Sequence, residues 1–273
     1  MLNKNYIKIE IKIASADEAE LVIAELSENK FYAFEQENDV LNAYVNEEDF
    51  DEDKLKKSLP SNAMFTKTII EEENWNQQWE NEIQPVIVNE FVAIRPSFHE
   101  PIKNVKHELI ITPKMSFGTG HHATTFLMIE LMQQINFNNK FVIDFGTGTA
   151  VLAILAEKCG ASKVIAVDYD EWSIQNAIEN MQVNNCKNVL LKHQENLSGI
   201  EAADIILANI NLNVLKNESD SISSLLMPGS FLLVSGFLFS DEKQIQKTFE
   251  EKNLVKRKTK KRGEWLAILF EKL

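Results

Sequence analysis

The residues best suited to chemistry fall into three short clusters. The first, Val142-Ile143-Asp144-Phe145-Gly146-Thr147-Gly148-Thr149-Ala150, reads as a buried strand running into a glycine-rich turn and then a helix. Gly146 and Gly148 allow the main chain to pass close under a ligand at the carboxyl end of a strand, where open α/β sheets bind theirs. A nicotinamide dinucleotide fingerprint would require glycine where Val151 stands, and it rarely has an acid such as Asp144 two residues ahead of its first glycine. Taken alone, the turn also admits a tight strand-to-helix connection that binds nothing, as the lesser reading. The second cluster is Val164-Ile165-Ala166-Val167-Asp168, whose carboxylate follows Gly146 by 22 residues, one β-α-β step. Such a carboxylate can accept both hydroxyl hydrogens of a ribose lying across the strand ends, and its replacement by Ala is expected to weaken ligand binding while leaving the fold intact. Asp170 is the start of the next helix. The third cluster joins Ser116-Phe117-Gly118-Thr119-Gly120-His121-His122-Ala123-Thr124-Thr125 to Ala208-Asn209-Ile210-Asn211. Phe117 to Gly120 form a flexible loop that feeds a helix beginning near Ala123, and His122 is a helix-capping or packing histidine.

These clusters resemble a known family. The turn is similar to the DxGxGxG motif of class I S-adenosylmethionine-dependent methyltransferases, with Ala150 where the third glycine usually falls. Enzymes of that class acting on planar amides or adenine carry an NPPY-like motif after the fourth strand. No proline or aromatic follows Asn209, so a planar target is disfavoured. The FGTGxHxTT-like segment and the Ala-Asn-Ile sequence together resemble the methyltransferases that modify ribosomal protein L-eleven. Here His121 stands for the usual Thr and Ala123 for the usual Pro. The resemblance implies an α/β fold: a Rossmann-like, seven-stranded class I methyltransferase domain preceded by a small α+β ferredoxin-like domain and a linker helix. It also implies S-adenosyl-L-methionine as cofactor, held by Phe117, Gly118, Thr125, Asp144, Gly146, Gly148, Asp168 and Asn209, with no metal. The expected reaction is methyl transfer to lysine side-chain and N-terminal amines of that basic ribosomal protein, with Asn209 as the catalytic residue that orients the amine. Two alternatives stay open: a class I enzyme for another protein or a small molecule, and a non-catalytic cofactor-binding module of ribosome assembly.

The elements that must position these residues follow from hydrophobic periodicity. Strands are expected at Phe141 to Phe145, Val164 to Asp168, Val189 to His193, Ile205 to Asn209 and Phe231 to Ser235, all short apolar runs of the buried parallel type. Helices near Ala150 to Cys159, Glu171 to Val183, Leu212 to Leu226 and Asp241 to Lys252 separate them. A hairpin of Leu254 to Lys260 and Trp265 to Phe270 closes the sheet, and strands at Val92 to Arg95 and Glu108 to Thr112 precede it. Before these, Tyr6 to Ile13 alternates as a strand, and Ser15 with Glu18 has capping-box spacing. Strands at Phe31 to Glu35, Val40 to Val45 and Ala63 to Ile70 and a helix over Asp49 to Ser58 complete a β-α-β-β-α-β order. The expected division is 1–70 for substrate recognition, 71–82 for a linker helix with Trp75 and Trp79 on one face, and 83–273 for catalysis.

Composition limits the function classes. The 273 residues are 44% hydrophobic and 25% charged, an ordinary globular balance. The longest nearly unbroken apolar run, Phe231 to Phe239, is far short of the ~20 residues of a bilayer helix, so no membrane association and a cytoplasmic location are expected. Net charge is −13, and residues 1–82 carry 8 Lys and Arg against 20 Asp and Glu, which places −12 of it in the first third. That field disfavours direct nucleic-acid binding and suits a basic protein partner, although a merely solvated acidic surface is the simpler reading of charge alone. A monomer is expected. Cys159 and Cys186, with no CxxC pair, read as free structural thiols.

Overall fold

The computed structural model describes residues 5–60, 63–70, 83–112, 114 and 117–273, and the chain divides after Asn81 into two units. The expected linker helix over 71–82, Ser116 and residues 61–62 lie outside the described residues.

The N-terminal unit contains β1 (Tyr6–Lys12), α1 (Ala16–Glu28), β2 (Ala33–Glu37), β3 (Val40–Asn46), α2 (Glu52–Ser58) and β4 (Phe65–Ile70). Its sheet is antiparallel in the order β2-β3-β1-β4. Ile7, Ile9 and Ile11 alternate onto one face and are buried with Leu41, Ala43 and Val45 against Val22 and Leu26 of α1 and Leu55 of α2. Ser15 caps α1 by accepting from Glu18 N, and Glu18 returns to Ala14 N at 2.6 Å, one residue earlier than in the standard capping box. The expected helix from Asp49 instead starts at Glu52. Asp51 accepts from the N–H groups of Asp53 and Lys54 and so fixes the N-terminus there, leaving Glu47–Asp49 as a single 3-10 turn.

The second unit is built on a seven-stranded sheet. Its strands are β8 (Phe141–Phe145), β9 (Lys163–Asp168), β10 (Val189–His193), β11 (Ala203–Asn209), β12 (Leu226–Leu238), β13 (Leu254–Arg262) and β14 (Trp265–Lys272). In the order β10-β9-β8-β11-β12-β14-β13 the first five strands and β13 run in one direction, and the final strand, β14, is inserted antiparallel between β12 and β13. Alternate residues of each parallel strand enter opposite cores. Val142, Val164 and Ile205 meet α3 (Ala123–Met132) and α4 (Val151–Lys158) on one side. Ile143, Ile165 and Ile206 meet α6 (Leu212–Asn217), α7 (Ser219–Ser224) and α8 (Glu242–Glu250) on the other. With both faces covered, the strands need no polar residues until their ends, and that is where the polar residues stand.

The single helix expected over Leu212 to Leu226 is two short ones. The break falls at Glu218, where φ −91° and ψ 4° leave the α-region, and the Ser219 hydroxyl donates to Lys216 O at 2.7 Å in competition with the helical pattern. Sequence reading also passed over β5 (Val86–Val88), which joins β6 (Val92–Arg95) and β7 (His107–Ile110) in a separate three-stranded sheet. α5 (Glu171–Val183) ties that sheet to the large one: Asn184, its C-cap, accepts from Ile110 N and donates to Ile110 O. Among the described residues no helix is long and apolar enough to cross a membrane. Cys159 and Cys186 are free, and burial raises their thiols to about 11 and about 12, which keeps them unreactive near neutrality.

Candidate functional site

β8 ends at Phe145 and the chain turns into α4 through Gly146, Gly148 and Ala150, with φ of 73°, 54° and 63°. The two glycines take the left-handed region freely. Ala150, where the family motif has glycine, holds the same conformation with its methyl fully buried. The turn is held from several directions. Gly146 N and Thr147 N both donate to Val167 O, Gly148 N donates to Asp168 Oδ2 at 2.8 Å, and Asn180 of α5 donates to Thr149 O at 3.0 Å. Asp168 Oδ1 also accepts from Asp170 N. Asp168 is therefore a strut of this turn as well as a group on the cleft, so its removal costs the turn two hydrogen bonds in addition to any made to a ligand.

Asp144 lies beneath the turn. Its Oδ2 accepts from Thr147 Oγ1 at 2.6 Å and from Ala153 N at 3.1 Å, while Oδ1 is buried with no partner among the described residues. Desolvation, the dominant cause, raises this carboxyl to about 7. A carboxyl whose pKa is raised by folding binds its proton more tightly in the native state, so its stabilising contribution is complete below about pH 4 and disappears as pH climbs through about 7. In the protein without cofactor, this group should lower stability by up to ~4 kcal/mol across that window. Asp144→Asn should remove that part of the slope in urea melts at pH 5 and pH 8. A slope unchanged by the substitution would show that Asp144 is ionised at pH 5 already.

The segment Phe117–Gly120 is latched onto the turn. Phe117 O accepts from Thr149 N at 3.0 Å and Gly118 O accepts from Thr149 Oγ1 at 2.7 Å. A Cβ on Gly148 would sit 2.3 Å from Phe117 O, so this close approach of two backbones demands glycine. His122 then caps α3, its Nδ1 accepting from Thr124 N, and its ring lies edge-on to Phe117 and Trp265 with centroids 5.0 and 4.7 Å away. Both the capping and the packing readings hold at once. Burial lowers the pKa of His122, which keeps the ring neutral at pH 7.

Two cavities open at these strand ends. A cleft of about 500 Å³ is lined by Gly146, Asp168, Tyr169, Gln194 and Ile210. A pocket of about 240 Å³ is lined by Phe117, His122, Asn209, Gly236 and Trp265. Ile210 and Asn211 line both and so form the partition between them. Asn209 precedes the partition. Its Nδ2 donates to the buried Thr125 Oγ1 at 3.4 Å, whereas its Oδ1 is buried without a donor among the described residues. A buried acceptor left open in this way costs stability unless another molecule supplies the donor.

The structure thus brings Phe117, Gly118, Gly146, Gly148 and Asp168 together in one hydrogen-bonded cluster and Thr125 with Asn209 in another, with Asp144 below the first. Sequence reasoning missed Trp265, Gly236 and Asn180. Gly236 has φ 98°, and a Cβ there would lie 2.2 Å from Ile210 O, so it makes room for the partition. An isolated glycine inside the apolar run FLLVSGFLF was the available signal, because glycine in a strand marks a close backbone approach. Gly236→Ala should cost at least ~2 kcal/mol from overpacking and backbone strain, read as a lower Tm. A melt at the wild-type temperature would mean that Ile210 shifts without cost.

Comparison with known proteins agrees with this geometry. The family model described as ribosomal protein L11 methyltransferase (PrmA) matches residues 3–273. A ribosomal protein L11 methyltransferase of Bacteroides thetaiotaomicron is 34% identical over 260 residues, covering 92% of this chain and 93% of the relative. One of Chlorobaculum parvum is 36% identical over 284 residues, covering 98% and 96%. A crystal structure of a ribosomal protein L11 methylase from Lactobacillus delbrueckii subsp. bulgaricus superposes with a TM-score of 0.65 at 25% identity, over 70% of this chain and all of that one. With its whole length matched by the family model and its large sheet of the class I methyltransferase type, the chain belongs to the ribosomal protein L11 methyltransferase family.

Proposed function

We propose that this protein is an S-adenosylmethionine-dependent enzyme that methylates amines of ribosomal protein L11, lysine side chains and the N-terminus among them. The observation that carries the reading is the partitioned pair of cavities with the open acceptor Asn209 Oδ1 beside the partition. A nucleoside fits the first cleft, where Asp168 can accept ribose hydroxyls and the Gly146 backbone leaves room. Of the residues the family resemblance assigns to the cofactor, Gly146 and Asp168 line this cleft, while Thr125, Phe117, Gly118, Gly148 and Asp144 are proposed to contribute through the hydrogen-bonded turn and latch beside it. The second pocket has aromatic walls suited to the alkyl stem of a lysine.

When bound, the sulfonium cofactor supplies an already activated methyl group. The residues of the chain have the remaining tasks. Walls formed by Phe117, His122 and Trp265 withhold water and so favour the neutral amine over the ammonium, whose pKa in water is ~10.4. Asn209 Oδ1 accepts one amine hydrogen and turns the lone pair toward the partition, which converts a chance encounter into a fixed approach. Neutral His122 keeps its place as cap and wall and acts as no base. We further propose that residues 1–70 form a ferredoxin-like recognition domain, that 83–273 form the catalytic domain, and that the enzyme works in the cytoplasm with its ribosomal substrate.

The test is incubation of the full chain with methyl-labelled S-adenosylmethionine and purified ribosomal protein L11, followed by mass spectrometry of the product. Added mass in steps of one methylene on amine-bearing residues is the expected outcome. Cofactor binding in calorimetry without any label on the ribosomal protein would favour the non-catalytic module instead.

A further inference from the structure

Among the described residues the helices of the N-terminal unit pack on one face of its sheet, and the opposite face is organised. Cross-strand register places Thr66, Glu10, Asn42 and Glu35 in one row across β4, β1, β3 and β2, and Thr68, Lys8, Tyr44 and Ala33 in the next. Within the first row Asn42 is only 5% exposed, and its Oδ1 has no hydrogen-bond partner among the described residues. Flanking it across the two neighbouring strands are two carboxylates. Glu35 accepts the Tyr44 hydroxyl at 2.8 Å through one oxygen, and Glu10 accepts from Lys8 at 3.0 Å through one of its own. Each keeps a second oxygen with lone pairs to offer. Glu37 extends the acidic edge along β2, and Glu10 also lines an open groove of about 780 Å³ with Val40, Phe65, Thr66 and the Lys12–Asp39 ion pair, 3.8 Å apart.

This set of atoms specifies a ligand. The unpartnered Asn42 oxygen and the Glu10 and Glu35 carboxylates are all acceptors, and the first sits where water is largely excluded, so the matching partner is a multiple donor with positive charge. Phosphate-bearing partners would meet two carboxylates in this row, with the neighbouring Lys8 already paired to Glu10. We propose that this face seats a cationic segment of the protein substrate, presenting a lysine or arginine to Asn42 Oδ1 and the Glu10 and Glu35 carboxylates with its stem along the Tyr44 ring. The inference rests on the reading that residues 1–70 select the substrate, and it adds which face does so and by what chemistry. Because the seat is separate from the Asn209 pocket, it sets how strongly the ribosomal protein is held and leaves methyl transfer itself unchanged.

The test compares two full-length triple variants with equal loss of charge. One is Glu10→Gln, Glu35→Gln and Glu37→Gln, in which glutamine preserves an acceptor for Tyr44 and Lys8. The control is Glu20→Gln, Glu25→Gln and Glu28→Gln, on the exposed side of α1. KM for the ribosomal protein, kcat and cofactor Kd are measured at low and at high salt, with thermal melts to establish folding. The sheet variant should raise KM about tenfold at low salt, with kcat and cofactor Kd unchanged and the difference shrinking at high salt. The control should stay within twofold. If the control raises KM as much or more, the unit still selects substrate but through its helical side, and the proposed seat is wrong. If neither variant moves KM, both the seat and the selecting role of residues 1–70 fall. Should the triple sheet variant melt early, Glu37→Gln with Glu35→Gln alone gives the same reading, expected at about threefold, and a KM equal to wild type overturns the proposal.

Discussion

Asn209→Ala is expected to lower the turnover number about 10²-fold at saturating cofactor while leaving the melting temperature at or slightly above that of the wild type. The two halves of this expectation come from the same atom. Asn209 Oδ1 is buried and unpaired, so its removal relieves the native state of an unsatisfied acceptor at the cost only of a long 3.4 Å contact to Thr125. An asparagine retained for structure would behave in the opposite way, with Tm falling and the turnover of the folded fraction preserved. The 10²-fold scale is that of small misplacements of reacting groups, since an amine without its acceptor rotates out of line. Cofactor affinity should fall less than turnover, because Asn209 contributes to only one side of the partition. Wild-type turnover at saturation would transfer the orienting role to the Phe117–Gly120 segment.

Asp168→Ala should weaken S-adenosylmethionine binding by about 10- to 150-fold, the equivalent of the ~1.5–3 kcal/mol carried by hydrogen bonds to a charged group. Unlike Asn209→Ala, it should also lower Tm in the absence of cofactor, because Gly148 N and Asp170 N lose their acceptor in a nearly buried place. Asp168→Asn separates the effects. Its remaining oxygen can still accept from Gly148, so much of the stability returns, while the amide cannot accept from two hydroxyls as a carboxylate does. Calorimetric titration of both variants checks this; wild-type affinity in either would remove Asp168 from the ribose site.

How much of this was legible in the sequence depended on the range over which each feature is encoded. The turn after β8 was readable because one continuous segment contains strand, glycines and helix, and Asp168 because β-α-β spacing is short and regular. The strands of the large sheet were readable for a related reason, since burial on both faces leaves unmixed apolar runs. Trp265 was not, because what makes it a pocket wall is the insertion of β14 beside β12, and nothing local to Trp265 encodes that partner. The break at Glu218 was missed because apolar periodicity continues across it while side-chain hydrogen bonding ends the helix. Asn180 reads as one polar residue among several on α5, and only the fold turns it toward Thr149.

The place of β14 has a consequence for how the molecule comes into being. The N-terminal unit pairs only strands from within its own first seventy residues, so it can complete itself while the remainder is still being synthesised. The catalytic sheet cannot. β12 and β13 both hydrogen-bond to the last strand in the sequence, and the aromatic wall at Trp265 arrives with it. A nascent chain can therefore complete the strand pairing of its acidic N-terminal unit well before the catalytic sheet closes, and termination after residue 70 but before Trp265 would leave that unit's pairing whole and the aromatic wall missing.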